Sequence, residues 1–247
     1  MDLGLKGKNA LITGGSRGIG LAIAETLVEE GCNVIICARD VKRLIEVANK
    51  LREKSPNVLG LECDVLNPDD IKLTVESFID AWGRIDILVN NVGGGGRWGY
   101  DFEDTTEDVW TDVYNKNAMA AMRFTKLVIP FMRKQKWGRV VTISSIYGKE
   151  GGGRPWFNMA KSAEISLMKS LSMDKRLVRD GITFNTVCPG HISVEGKTDE
   201  DNVEDFPLGR MGSPEEVANV VAFLCSEKTS LVNGACVVVD GGESRSF

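Results

Sequence analysis

Two short stretches hold side chains whose types and spacing can do chemistry. The first, TGGSRGIG at residues 13–20, contains Gly14, Ser16, Arg17, Gly18, Ile19 and Gly20. Gly14 suits a tight turn, Gly18 lets backbone approach a pyrophosphate, and Gly20 lets a helix pack closely on a strand. A helix opening there offers unpaired N–H groups and a positive dipole end to phosphates. The competing reading is a glycine turn with no ligand. The second stretch, GGGRPWFNMAKSAE at residues 151–164, sets Lys161 four residues after Phe157. That spacing places an ammonium and a phenyl ring on one face of a helix, one turn apart. A nearby ammonium stabilises a phenolate and so prepares a phenol to give up its proton, but Phe157 has no hydroxyl to donate. The alternative for Lys161 is a solvated helix face.

Short apolar runs alternate with longer amphipathic segments. Strands are expected over 9–13, 33–38, 58–65, 85–91, 138–145, 182–190 and 236–242. Helices are expected over 18–31, 41–54, 68–83, 156–177 and 213–226. A further helical pattern covers 106–136, long enough to suggest a break near Pro130 or a separate shorter helix before it. Pro68 and Gly83 mark the two ends of one helix, and Gly31 closes another. The strand runs are continuous rather than alternating, which marks a parallel sheet covered on both faces. The expected fold is α/β, a Rossmann-type doubly wound parallel sheet of about seven strands, in one domain over 1–247. Ligands of such folds bind at the carboxyl ends of the strands. The least regular segment, 191–208, follows such an end and is acidic, with Glu195, Asp199, Glu200, Asp201, Glu204 and Asp205. It is a candidate lid, or a merely solubilising loop.

The end of the second strand bears on which dinucleotide fits. An acid there would bond a ribose 2′-hydroxyl and favour NAD. Here the strand ends CARD: Ala38 stands where that acid is expected, Arg39 follows, and Asp40 is placed to cap the next helix. With Arg17 in the glycine turn, two guanidiniums near the 2′ position suit a phosphate and favour NADP(H) over NAD(H). The alternative for Arg39 is a solvated surface charge.

Further segments fall in order along the chain: NNVG at 90–93, Asn117, ISSIYG at 143–148, FNMAK at 157–161, PGHI at 189–192, LGRMGSPEEVA and VVVDGG. With the glycine turn, they resemble the short-chain dehydrogenase/reductase family, in its subgroup close to 3-oxoacyl-carrier-protein reductases and glucose dehydrogenases. The resemblance spans nearly the whole chain, and its motifs are specific for the family and poorly specific for substrate. It implies hydride transfer between nicotinamide and a carbonyl carbon. It places Asp64 and Val65 at the adenine, and Asn91 and Gly93 at the adenosine ribose and central phosphates. Lys161 would bond the nicotinamide ribose, and Asn117 would hold a water linking that lysine to solvent. Ser145 would polarise the substrate carbonyl. Its spacing to residue 157 is one shorter than the family's, so Ser144 stays as the alternative. Pro189, Gly190 and Ile192 would pack on the nicotinamide. Val194 stands where the family has a threonine, which puts one phosphate contact in doubt. His191 is placed as a loop residue beside the cofactor rather than as a base. Each polar residue taken singly has a structural alternative, as a strand-end or capping group.

The family's proton donor is a tyrosine at the position of Phe157. Three readings follow. Phe157 is a one-atom deletion of that tyrosine that leaves an otherwise intact site, catalytically impaired but able to hold substrate. Or the chain is a natural non-catalytic NADP(H)-binding sensor or partner-binding protein. Or another group, with Tyr147 nearby in sequence, supplies the proton. Losing a general acid removes roughly 10²–10⁴ in rate.

The remaining features exclude classes. A net charge of −5 argues against nucleic acid and anionic membranes as partners. No apolar run approaches a membrane span, and the N-terminus has no signal pattern. Six scattered cysteines with one histidine are unsuited to a metal site and fit free thiols in the cytoplasm. The acidic lid disfavours an acidic carrier protein, although Arg97 and Arg154 near the mouth would counter it. A small carbonyl or alcohol substrate is therefore expected, approached by the glycine-rich tract at 93–100. Trp98, Tyr100, Trp156 and Phe206 would line its pocket or pack the loops. The family is commonly tetrameric, and an apolar face on 156–177 agrees with a homo-oligomer.

Overall fold

Apolar runs without polar alternation need cover on both faces, and a parallel sheet between two helical layers supplies it. The computed structural model describes residues 1–95, 101–194, 204 and 206–246. Its strands are β1 (Asn9–Thr13), β2 (Asn33–Ala38), β3 (Val58–Glu62), β4 (Ile87–Asn90), β5 (Gly138–Ile143), β6 (Ile182–Pro189) and β7 (Cys236–Val239). They form one sheet in the order β3-β2-β1-β4-β5-β6-β7, with every neighbouring pair parallel. The strand order reverses between β1 and β4, and that crevice is where a doubly wound sheet binds ligands.

Helices α1 (Gly18–Glu29), α2 (Val41–Lys54) and α8 (Pro214–Cys225) cover one face, where Leu27, Leu44, Val217 and Val221 meet Ile12, Ile36 and Val89. Helices α3 (Pro68–Trp82), α5 (Ala120–Gln135) and α6 (Pro155–Ser172) cover the other, where Phe78, Phe124, Met132 and Met168 meet Leu11, Leu88 and Phe184. A third cluster joins Val113 of α4 (Glu107–Tyr114) to Trp156 and Ala160 of α6, with Phe157 packed against it.

Local chemistry sets the helix ends. Asp40 caps α2 by accepting from Arg43 N, as its position predicted. Asn67 caps α3, whose C-cap Gly83 is left-handed at φ 71°. Ser213 and Glu216 form a reciprocal capping box at the start of α8.

Several boundaries differ from expectation. Strands β3, β5 and β7 stop two or three residues early and β4 is trimmed at both ends, because the chain turns over the sheet edge to make side-chain bonds there. Asn91 N and Val92 N, for example, both donate to Thr13 Oγ1. The 106–136 segment is continuous through Pro130, which is exposed, so water can take the carbonyl that proline leaves unbonded. Its break lies earlier, at a π turn over Asn115–Met119 between α4 and α5. The helix expected over 156–177 ends at Ser172, and Asp174 then caps a new short helix, α7 (Lys175–Arg179), by accepting from Arg176 N at 2.9 Å.

Gly20 shows how tightly α1 sits on the sheet. A Cβ there would lie 2.3 Å from Gly14 O and 2.4 Å from Asn91 Nδ2. Neither atom sits on a side chain free to swing aside. Gly20→Ala should therefore lower stability by about 1–3 kcal/mol, read as a lower denaturant midpoint with the m-value unchanged.

Candidate active site

Above the β1/β4 reversal lies a cleft of about 610 Å³. Its walls include Gly14, Ser16, Arg17, Gly18, Ile19, Gly20, Arg39, Val65, Asn91 and Gly93, all singled out from sequence. Gly14 and Gly18 turn the loop with positive φ of 67° and 54°. The first turn of α1 carries no acid and Arg17 makes no side-chain cap, so its N–H groups face the cleft open to an anion. Asn91 locks the loop in place, its amide donating to Thr13 O at 2.9 Å and Gly14 O at 3.2 Å.

Basic groups collect where β2 ends. Ala38 and the exposed Arg39 line the wall, with Arg17 across from them. Arg43, which the sequence reading missed, joins them from the first turn of α2, its Nε donating to Ser16 O at 3.1 Å. Its signal was the capping spacing from Asp40. Asp40 also lines this wall, with its carboxylate turned onto its own helix to accept from Arg43 N. The Gly-rich turn, the open helix end and the guanidiniums together fit a dinucleotide bearing a 2′-phosphate. Val194 takes the threonine position and packs on Gly18, where a Cβ would come 3.2 Å from Val194 Cγ1. Asp64 is not part of this wall. Cys63 and Val65 flank the cleft on either side of it, and its own carboxylate accepts from Leu66 N.

Gly93 carries the cleft toward Lys161. A Cβ on Gly93 would lie 2.4 Å from Asn117 Oδ1 and 3.0 Å from Lys161 Nζ, so only glycine lets these groups converge. Asn117 lies fully buried in the π turn, donating to Val113 O and Gly94 O and accepting from Gly94 N. Lys161 is 4% exposed and donates to Ile143 O at 2.9 Å and Glu164 Oε2 at 3.0 Å. Phe157 lies one turn away on the same face, its ring centroid 5.6 Å from Lys161 Nζ. Ser144 donates to Lys161 O at 2.9 Å and so fastens β5 to α6. Ser145 caps the turn that follows by accepting from Tyr147 N, and its own hydrogen has no acceptor among the described residues.

Glu164 is the second group the sequence reading missed. It sits three residues after Lys161, and that i, i+3 spacing was its signal. Full burial raises its pKa from 4.5 to about 7, against the attraction of Lys161 and the hydrogen bond that Lys161 donates.

Pro189, Gly190 and Ile192 follow the end of β6 and lie beyond the walls of the glycine-turn cleft. Ile192 bridges to Gly212 and packs into the core. His191 contacts Glu243 through Nδ1, and its ring stands between those of Tyr147 and Phe206. Trp156 packs rather than lining a pocket: it is 2% exposed and donates to Gly95 O. Arg154 likewise donates to Gly95 O. Arg97, Trp98, Tyr100, Glu195, Asp199, Glu200, Asp201 and Asp205 lie outside the described residues, and Glu204 is exposed. Among the described residues no cluster suits a metal ion, and no helix is long and apolar enough to cross a membrane.

Known proteins resemble the chain along its length. A family model described as Enoyl-(Acyl carrier protein) reductase matches residues 14–244. The 3-oxoacyl-(acyl-carrier-protein) reductase FabG of Aquifex aeolicus is 36% identical, over 98% of this chain and 99% of that protein. A putative oxidoreductase of Bacillus subtilis, YtkK, is 34% identical over 95% of this chain and 96% of its own length. Among solved structures, L-sorbose reductase from Gluconobacter frateurii, complexed with NADPH and L-sorbose, superimposes with a TM-score of 0.92 at 34% identity, covering all of both chains.

Because burial lifts Glu164 above its unfolded value, the folded protein keeps that proton between 4.5 and about 7 while the unfolded chain has lost it. Stability from this group is therefore greatest below 4.5 and declines as pH rises to about 7, by up to about 3 kcal/mol. Denaturant unfolding across that range should show the decline in the parent chain and a flatter profile in Glu164→Gln.

Proposed function

The chain belongs to the short-chain dehydrogenase/reductase family, and on that premise we propose that it is an NADP(H)-dependent oxidoreductase acting on a small ketone or secondary alcohol, impaired in proton delivery by Phe157. The observation that carries this reading is the continuity of the site. One wall runs from the glycine turn past Asn91 and Gly93 to Lys161, with Phe157 stacked one helical turn before it.

The roles follow from position. Gly14, Ser16, Gly18, Ile19 and Gly20 receive the phosphates, Arg17, Arg39 and Arg43 the 2′-phosphate, and Val65, Asn91 and Gly93 the adenosine end. Pro189, Gly190 and Ile192 back the nicotinamide, whose reduced form supplies a hydride when bound. Ser145 orients the substrate carbonyl, since the Ser144 hydroxyl is already committed to Lys161 O. Lys161 holds the nicotinamide ribose, and Asn117 keeps its path to solvent. As negative charge grows on the carbonyl oxygen, the missing phenol leaves it without the family's proton donor. A small polyol or ketone fits better than a carrier-bound acyl chain, as the sorbose complex of the structural relative supports.

All six cysteines are free thiols, which fits a cytoplasmic enzyme. The last strand, β7, has Cys236–Val239 half-buried at the sheet edge, which supports assembly as a homotetramer. Light scattering should then give four times the chain mass of 27.0 kDa.

Fluorescence titration should show NADPH bound more tightly than NADH, and Arg39→Ala should abolish most of that difference. Phe157→Tyr should raise ketone reduction by roughly 10²–10⁴ with NADPH affinity unchanged. If this variant binds NADPH and stays inert on ketones, sugars and polyols, the chain is instead a non-catalytic NADP(H)-binding sensor.

A further inference from the structure

The chain has a single histidine, and its imidazole is held the way proton-transfer groups are held. His191 stands just past β6, beside the end of β5 from which Ser145 emerges. Ser144 N donates to Val187 O at 2.8 Å and ties these two strand ends together. Glu243 grips His191 at two points: Oε1 meets ring Nδ1 at 2.5 Å, and Oε2 accepts from the backbone N at 2.9 Å. Gly190 makes room for that carboxylate, because a Cβ there would lie 2.4 Å from Glu243 Oε2. Ring centroids of Tyr147 at 6.2 Å and Phe206 at 5.3 Å bracket the imidazole.

A carboxylate on Nδ1 fixes the tautomer and orients the ring. Nε2 then becomes the exchanging nitrogen, and it has no hydrogen-bond partner among the described residues. The side chain is 40% exposed, so solvent can return a proton to it. Among the described residues, the titratable groups nearby are Glu243 on the ring itself, Asp240 beside Gly190, and Tyr147 with Glu150 next to it. Burial first, and the charges of Glu243 and Glu150 second, push the Tyr147 phenol above the ordinary 10.0, which makes it a poor donor.

We propose that His191 Nε2 delivers the proton to the substrate carbonyl oxygen in this chain, with Glu243 as its positioning residue. The inference rests on the oxidoreductase reading above and supplies that reading with its missing donor. In the step, a bound dihydronicotinamide would give up the hydride of its C4–H bond, and the carbonyl carbon would gain a C–H bond. The carbonyl π pair moves to oxygen, the Nε2–H bond of the imidazolium breaks, and an O–H bond forms, which leaves the neutral Nδ1–H imidazole. The ketone gains two electrons and the dihydronicotinamide loses them; the neutral imidazole is reprotonated from water. The turnover carried this way is the residual rate of the Phe157 chain.

Diethyl pyrocarbonate acylates the free nitrogen of an imidazole, and peptide mass mapping locates the product at His191. Labelling is expected in the free protein and absent with saturating NADPH. Nitrogen-15 spectra of the lone imidazole should show the Nδ1–H tautomer, and Glu243→Gln should mix the two tautomers. With the ketone that the Phe157→Tyr variant reduces fastest, His191→Gln should lower the parent kcat on the order of 10²-fold with NADPH affinity retained. In the Phe157→Tyr background the same change should matter far less, and added imidazole should restore part of the rate to His191→Ala. Equal labelling with and without NADPH overturns the proposal, and so does parent-rate turnover by His191→Gln. A parent chain that binds NADPH and gains activity with Phe157→Tyr, yet has no turnover of its own, overturns it as well. The labelling arm uses the unaltered protein and stands even if a variant does not fold. Failure to bind NADPH, with Phe157→Tyr inert, would instead bring down the oxidoreductase reading and this donor with it.

Discussion

Everything at the site depends on how the ends of β1 and β4 are stitched together where the strand order reverses. Thr13 Oγ1 accepts from Asn91 N and Val92 N and donates to Val89 O, while the Asn91 amide returns to Thr13 O and Gly14 O. Two adjacent parallel strands diverge above a sheet, so their connecting loops would otherwise move independently. The stitch makes the glycine turn and the chain after β4 one rigid wall. Gly14 can hold its left-handed turn because Asn91 sits against it, and Gly20 can bring α1 down because nothing but Gly14 and Asn91 fills that space.

The second constraint is electrostatic. Lys161 is buried under the sheet edge and meets a buried carboxylate, Glu164, in place of water. Buried pairs of this kind contribute little net stability, since desolvation offsets their attraction, but they hold a charge at one place. Here that place is the convergence of Gly93, Asn117 and Phe157. The phenyl ring completes an apolar cluster with Trp156, Val113 and Ala160, so the ammonium is walled in on one side by hydrocarbon and on the other by Glu164. The site is stiff where a cofactor would lie and polar only at chosen atoms.

Features set by neighbours in sequence were legible, and those set by neighbours in space were not. The glycine turn, the capping by Asp40 and the stop at Gly83 all announce themselves within a few residues, as do the buried strands through their unbroken apolar runs. Phe157 and Lys161 were paired on one face by helical period alone. Glu164 was within reach of the same period but was passed over among the residues of an ordinary-looking helix. Glu243 had no local signal, because 52 residues separate it from His191 and only the sheet topology brings them together. Of the two alternatives for the long helical pattern, the shorter preceding helix is present as α4, while Pro130 breaks nothing, since an exposed proline late in a helix is tolerated when packing on the opposite face holds the turns. Nothing local announced that the packing of α6 would take up the Ser144 hydroxyl and leave that of Ser145 without an acceptor among the described residues.

The π turn over Asn115–Met119 has a consequence for how this scaffold varies. It holds one residue more than a regular helix would, and each residue rotates a helix by about 100°. Removing a single codon from this turn would let α4 run smoothly into α5 and could preserve nearly all the buried hydrocarbon. The asparagine would nonetheless swing away from Lys161. Folding and chemistry are thus separated here by the smallest genetic step that leaves the reading frame intact.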